Sequence, residues 1–491
     1  MDNSSKTFGK LTIPLLVLLT ISFSVNTALA LDGSGTEADP WRIQSLADFN
    51  DFAADANYWD DYTRLETNVN LAGQTCPTAV IAPDTSSTSG FQGSPFTGVF
   101  DGNGHTILEL TIIDTETAND YLALFGKLGE GGTIKNLGIW DGYIVGFDSD
   151  YLGGICGYNA AGTIRNCFYD GDVIGDDYLG GLCGSNYFGI IENCFTTGAY
   201  NGDDWLGGLC GDNESGTITN CYVEGSVTGF FSLWYIGGLC GSNYRGTITN
   251  CFVNASVSAG PSSTSIGGFC GGNFESNVSG CFAIGSVTAQ NDSSHIGGLF
   301  AYNDEDSSIT NCFSNVDITC GASRYIGGIC GSNFKTIRNC YSAGYIIDYN
   351  QALSYFGELC GYNHTEGTFS NCYYLDTDVP NNSYGTPLTD TQMKQQTSFI
   401  NWDFVIETAN GTDEIWTIKE GVKYPELVWP LVQYHGWDGV DFADYSFFAN
   451  HWQDSNCGGA NDCDGADLDF SDKVGRADLK IFCDHWLEGV E

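Results

Sequence analysis

The sequence predicts a mainly β fold: a right-handed parallel β-helix, or solenoid, of about nine 27–30-residue coils, followed by a small α-helical module. Three observations carry this. A nine-residue block recurs as YLGGICGYN from Tyr151, YLGGLCGSN from Tyr178, WLGGLCGDN from Trp205, YIGGLCGSN from Tyr235, SIGGFCGGN from Ser265, HIGGLFAYN from His295, YIGGICGSN from Tyr325 and YFGELCGYN from Tyr355, with a degenerate copy from Tyr121. Each copy is followed by a second block of the type GTIRNCFY, and many by a third such as GSVTG. No copy holds an apolar period of 3.6 residues long enough for a helix. Three short β-prone blocks separated by Gly, Asn and Asp describe one turn of a three-sided coil. Stacking such coils at the strand spacing of about 4.8 Å sets equivalent residues above one another.

Residues 1–30 read as a signal peptide: Lys6 and Lys10 precede an apolar run, and Ala28-Leu29-Ala30 supplies a small-x-small cleavage pattern before Leu31. The run is short for a membrane span, and no transmembrane segment is expected after cleavage. Residues 31–120 are expected to form the N-terminal cap and first irregular coils, 121–375 the regular repeats, 376–433 a C-terminal cap and connector, and 434–491 the helical module.

Composition narrows the partners. With 17 Lys and Arg against 61 Asp and Glu, the net charge is −44, which repels phosphate backbones and excludes nucleic acid. Disorder is excluded too, because 42% of residues are hydrophobic and 14% aromatic.

Two Asn columns follow from the repeat. One runs Asn159, Asn186, Asn213, Asn243, Asn273, Asn303, Asn333 and Asn363; the other Asn166, Asn193, Asn220, Asn250, Asn311, Asn339 and Asn371. Asn accepts the left-handed conformation of a corner, and its amide can bond the amide one coil away. Two Cys columns run beside them: Cys156, Cys183, Cys210, Cys240, Cys270, Cys330 and Cys360, then Cys167, Cys194, Cys221, Cys251, Cys281, Cys312, Cys340 and Cys372. Two readings stand: small apolar thiols packing a narrow core, or one disulfide closing each coil across its interior.

The GGLCG block followed by G-T-I-x-N-C-Y resembles the GLUG repeat of bacterial secreted and surface proteins, over about residues 121–375. That resemblance implies an exported, surface-type protein.

In the last segment, ADYSFFANHW (443–452) and ADLKIFCDHW (477–486) align without gaps. Tyr445, Phe448 and Trp452, and Leu479, Phe482 and Trp486, fall on one apolar helical face each. Before the second helix, Asp467, Asp469, Ser471 and Asp478 stand at positions 1, 3, 5 and 12 of a loop, with the Lys473 carbonyl at position 7, an oxygen set suited to calcium. Asp438, Asp441 and Asp444 form a shortened equivalent before the first helix. The pair resembles a dockerin-type module, which implies EF-hand-like calcium loops and docking to a cohesin-like or cell-envelope partner. Position 6 is Asp472 and position 9 is Gly475, both departures from that pattern.

No catalytic residue stands out. Asp148, Asp150, Asp176, Asp177, Asp203 and Asp204 recur at one inter-block loop and predict an acidic edge, but nothing singles out a pair. Beside them Tyr151, Tyr178, Trp205, Tyr235, Tyr325 and Tyr355 share one position, a row that could stack on sugar rings or on itself. The functional expectation is a binding or scaffold protein of adhesin type with calcium as cofactor and a glycan as a candidate partner. The alternative is a polysaccharide lyase or glycoside hydrolase built on the β-helix.

Overall fold

The computed structural model describes residues 31–86, 88–114, 119–304, 306–348, 354–377, 384–405, 409–411, 413–429, 448–449, 451–455, 457, 463, 466–468 and 473–484. The expected signal peptide lies outside them.

The coil beginning at Tyr178 shows the plan. Its strands are Leu179–Gly180, Cys183–Tyr187, Ile190–Glu192 and Phe195–Gly202. The last three join equivalent strands of the coils on either side, and Leu179–Gly180, the first strand of its face, joins Leu206–Gly207; all pair in parallel, giving faces of 7, 9, 12 and 14 strands among the described residues. The coil is therefore four-sided where the blocks predicted three sides. The cause is the Gly-Gly pair inside the first block, which splits it into two strands. A Cβ on Gly180 would sit 2.2 Å from the Cys183 carbonyl oxygen, and one on Gly181 2.2 Å from the Gly208 oxygen; only glycine allows so tight a bend. The spacing of 27 or 30 residues has a local cause as well. First-face strands have two residues at Leu179–Gly180 and Leu206–Gly207, but four at Trp234–Gly237 and Thr264–Gly267. The longer coils thus add their residues where the fourth face passes to the first.

Register holds from coil to coil, as where Cys183 faces Cys210, Asn186 faces Asn213 and Ile191 faces Ile218, with one shift between Tyr169 and Gly171 where that fourth-face strand meets the coil before it. Each short third-face strand turns one apolar residue inward, so Ile164, Ile191, Ile218, Ile248, Val278, Ile309 and Ile337 stack as one buried column. The leucines, cysteines and inward aromatics of the other faces complete one continuous core. At the N-terminal end, three more strands (Trp41–Ile43, Tyr62–Leu65 and Val99–Asp101) extend the third face. The helix Leu46–Ala54, N-capped by Ser45, buries Phe49 and Phe52 there. A helix over the terminal coil hides strand edges that would otherwise pair with another chain.

Both Asn columns form hydrogen-bond runs in opposite senses, the first continuous and the second interrupted once. In the first, Asn159 Nδ2 donates to Asn186 Oδ1 at 2.8 Å, Asn186 to Asn213 at 2.7 Å, and so on to Asn363. In the second, donation runs backwards, from Asn193 to Asn166 at 3.1 Å and from Asn371 to Asn339 at 3.0 Å. Left-handed backbone is confined to the second column, with φ near +50°. The first sits in extended strand, fully buried from Asn159 to Asn333, and its amides also close their own turn, as where Gly162 N donates to Asn159 Oδ1 at 2.9 Å.

The second column breaks at Gly280. Trp429, arriving from the connector, donates its indole N–H to the Gly280 carbonyl at 2.8 Å. The connector, expected to cap the C-terminus, lies largely along the outside of the fourth face. Met393, Phe399, Trp402, Phe404, Trp416 and Trp429 form a second apolar cluster there with Phe252, Phe313, Tyr341 and Tyr373. A third, small cluster joins Phe448, Leu468, Val474, Ile481 and Phe482. Its helix, Arg476–Asp484, is the second helix expected from sequence. Phe448 stacks on Phe482 at 5.1 Å, whereas Trp452 is exposed. Cys457 and Cys463 form a disulfide.

Truncating one buried amide strands two others. Asn213→Ala should lower unfolding free energy by about 2–4 kcal/mol, two unsatisfied groups at about 1–2 each, measured by urea denaturation.

Candidate functional site

The edge where the fourth face passes to the first gathers the acidic loops and the aromatic row. The carboxylates are built into the coil stacking. Asp120 Oδ1 accepts from the Asp150 backbone N–H at 3.0 Å, Asp150 from Asp177 at 3.4 Å, Asp177 from Asp204 at 2.9 Å, and Asp204 from Trp234 at 2.6 Å. Partial burial and then neighbouring carboxylates push Asp150 up to about 6. Asp203, within hydrogen-bonding reach of Asp176, is pushed up to about 6 by burial and by that neighbour. At Asp177 and Asp204 burial likewise raises the carboxyl, and the backbone donors act in the opposite direction.

The aromatic row stands directly beside this ladder, every member in left-handed backbone. Tyr121 and Tyr151 stack at 4.9 Å, Tyr151 and Tyr178 at 4.7 Å, Tyr178 and Trp205 at 4.6 Å, and Tyr325 and Tyr355 at 4.9 Å. Trp205 and Tyr235 are farther apart, tilted at 6.1 Å. Stacking at the coil pitch turns ring faces toward one another and leaves edges outward. Ser265 interrupts the row, and Phe274 fills the gap, meeting Tyr235 edge-on at 5.6 Å. His295 takes the next place, stacked on Tyr302, whose hydroxyl lies 2.8 Å from Nε2. Burial lowers this imidazole to about 4, so it is neutral at pH 7.

Rings with open surface lie just beyond the row. The loop that lengthens the coil after Trp205 exposes Phe230, Phe231 and Trp234, with Phe231 71% and Trp234 55% accessible. Isolated exposed aromatics are ordinary, but three in five residues on an acidic edge form a patch.

A second aromatic ladder was not recognised from sequence. Phe168, Phe195, Tyr222, Phe252, Phe282, Phe313 and Tyr341 stack face to face along the outside of the fourth face, 4.7–5.1 Å apart. Its signal was present: the residue after each N-C pair is Phe or Tyr. The connector covers its C-terminal half, leaving a groove of about 490 Å³ between Phe282, Phe313 and Tyr341 on one side and Lys394, Lys423 and Tyr424 on the other.

One buried acid stands beside the aromatic row. Asp212 occupies a position held by Ser185 and Ser242 in the adjacent coils, and burial raises it to about 7.

Of the expected calcium ligands, Asp438, Asp441, Asp444, Asp469 and Ser471 lie outside the described residues. Asp467 and Asp478 are both buried in the C-terminal cluster, and Lys473 is exposed. Asp478 Oδ2 accepts from Gly475 N at 2.7 Å, fixing the helix entrance. Lys473 bridges to Ser455, just past the first helical segment. Among the described residues, no group of three or more His, Cys, Asp or Glu is placed to hold a metal.

Residues 148–174, 206–228 and 232–258 match the GLUG motif. The chain carries GLUG repeats. Over 146 residues, 29% of its length, the chain is 32% identical to halomucin of Haloquadratum walsbyi, and the match spans 2% of that protein's length. A Bacteroides ovatus crystal structure, described as a candidate immunoglobulin A1 protease, aligns over 80% of this chain and 94% of its own, at 18% identity and a TM-score of 0.38. A likeness of that size carries no argument about function. No helix among the described residues is long and apolar enough to cross a membrane.

Asp212 makes the repeat's stability depend on pH. Its folded pKa of about 7 stands above the ordinary 3.8, so the folded chain holds a proton that the unfolded chain releases. The resulting stabilisation is complete below pH 3.8 and is lost as pH rises through 7. Asp212→Ser should therefore raise Tm at pH 8 relative to wild type more than at pH 4, read by calorimetry at both pH values.

Proposed function

We propose that this protein is an extracellular or cell-surface binding and scaffold protein of adhesin type, whose GLUG solenoid presents repeated side-chain rows to a glycan. The observation that carries this is the repetition along the edge from Asp120 to Trp205. There a carboxylate that accepts a backbone N–H of the next coil and a stacked ring recur side by side from coil to coil, and an extended polymer with its own repeat is the natural complement of such a surface. The similarity to halomucin supports a surface repeat protein. The row Tyr151, Tyr178, Trp205, Tyr235, Tyr325 and Tyr355 offers ring edges, and Trp234, Phe230 and Phe231 add open aromatic surface of the kind sugars pack against.

A glycan-cleaving enzyme is the competing reading. It rests on Asp150 and Asp203, carboxyls held near 6 and so able to carry a proton at near-neutral pH. Incubating the full chain with a polysaccharide panel, and scoring both retention and new chain ends, separates the two. The expected outcome is retention without new ends, weakened at least fivefold by Trp234→Ala. New ends abolished by Asp203→Asn would establish the enzyme instead.

The C-terminal segment 434–491 extends the proposal: a calcium-dependent docking module for a cohesin-like or cell-envelope protein. Asp467 and Asp478 are both buried near the entrance of the helix Arg476–Asp484, and carboxylate oxygens are the donors calcium takes. Asp467, Asp469, Ser471, Asp478 and the Lys473 carbonyl would hold the ion, and the shorter set Asp438, Asp441 and Asp444 a second. Calcium should raise the unfolding temperature of this segment in the full chain, and Asp467→Ala with Asp469→Ala should remove the shift. The absence of any shift in wild type would end the calcium assignment.

A further inference from the structure

The cysteine columns carry chemistry that the binding function does not use. Both are thiols in the structure, and their neighbours are set by the coil stacking. Cys156 lies in register with Cys183, Cys183 with Cys210, Cys210 with Cys240, Cys240 with Cys270, and Cys330 with Cys360. In the second column, Cys194 is within side-chain hydrogen-bonding reach of Cys167 and Cys221, and Cys340 of Cys312 and Cys372. The two cysteines of one coil are arranged otherwise. Cys156 opens the second face, whereas Cys167 stands beyond the third-face strand Thr163–Arg165.

We infer that these columns are sites of oxidative cross-linking along the solenoid axis, each disulfide joining equivalent cysteines of adjacent coils. The strand spacing of about 4.8 Å falls within the Cα separation that a disulfide spans, roughly 4.4–6.8 Å. A sulfur can bond one neighbour at a time, so a column closes as pairs. The second column has eight members without a gap. The first is divided by Phe300, which takes the cysteine position between Cys270 and Cys330. Five members lie before it and two after, which leaves Cys330 and Cys360 a single pairing.

The oxidant is a small-molecule disulfide such as glutathione disulfide. The thiolate of one column cysteine attacks a sulfur of the oxidant and releases one glutathione thiolate. The adjacent coil's thiolate then attacks the protein sulfur of this mixed disulfide and releases the second. Two protein thiols are oxidised, one glutathione disulfide is reduced to two glutathiones, and the two protons pass to the departing thiolates. The folded core excludes the oxidant, since the column members are buried. Burial also pushes the Cys156 and Cys330 thiols well above their ordinary range, and Cys360 up to about 12. Cross-linking therefore belongs to the interval in which coils are being laid down, and the finished solenoid preserves whichever redox state it folded in.

The test refolds the full chain from denaturant with reduced glutathione alone or with a reduced–oxidised mixture. The monomeric fraction with restored β circular dichroism is alkylated, digested and mapped by mass spectrometry without reduction. With oxidant, peptides joining Cys330 to Cys360, and adjacent members of the second column such as Cys312 and Cys340, are expected. Cys330→Ser should leave Cys360 open to alkylation in denaturant. Already folded, reduced protein should gain no cross-links from the same mixture over the same time. Links within a coil, such as Cys156 to Cys167, would overturn the inference. So would full alkylation of the columns, or failure to recover any β-structured monomer in the presence of oxidant.

Discussion

Every property of this molecule passes through the registered hydrogen bonding of one coil to the next. In a parallel ladder with no slip, each residue has its own equivalents above and below at about 4.8 Å. Whatever chemistry a repeat position holds is multiplied along an axis. An amide becomes a hydrogen-bonded run, a ring becomes a stack, a thiol becomes a column of thiols. Favourable self-pairing is therefore selected at every position, and the residue types that pair well with themselves, Asn, aromatics and β-branched aliphatics, are those that recur here.

Carboxylates pair badly with themselves, and the acidic edge shows how the fold accommodates them. Asp150, Asp177 and Asp204 each accept the backbone N–H of a residue in the next coil. The ladder thereby places a donor between successive negative charges. Between Asp176 and Asp203 the side chains approach each other instead, and burial together with that neighbour pushes Asp203 up to about 6. The edge thus combines fixed charge with charge that responds to pH and to cationic ligands. Its open rings at Phe231 and Trp234 lie where three added residues lengthen the coil, a change the ladders tolerate because it falls between faces.

The solenoid was legible in the sequence because its period is written in full: Gly-Gly, Cys and Asn return at 27 or 30 residues, and the stack follows from equivalence alone. The number of faces was less legible, since the bend at Gly180 and Gly181 lies inside a block that reads as one strand. The row from Tyr151 to Tyr355 was identified by position, but its self-stacking depends on a left-handed backbone that tyrosine rarely adopts and that no local motif announces. The outer ladder from Phe168 to Tyr341 escaped notice because an aromatic after Cys reads as another core residue. Only the third dimension shows that it points outward to receive the connector.

A stack of near-identical coils invites misalignment, because sliding the chain by one repeat restores almost every contact. Trp429 and Gly280 remove that degeneracy. In the second Asn column Gly280 stands where its neighbours carry a side chain, and its carbonyl receives the indole of Trp429, as the Asn371 carbonyl receives that of Trp402. The contact joins positions 149 residues apart in the chain, and a shifted register would offer that indole an asparagine instead. An otherwise repetitive message thus carries an address, a reference mark against which the count of coils can be checked.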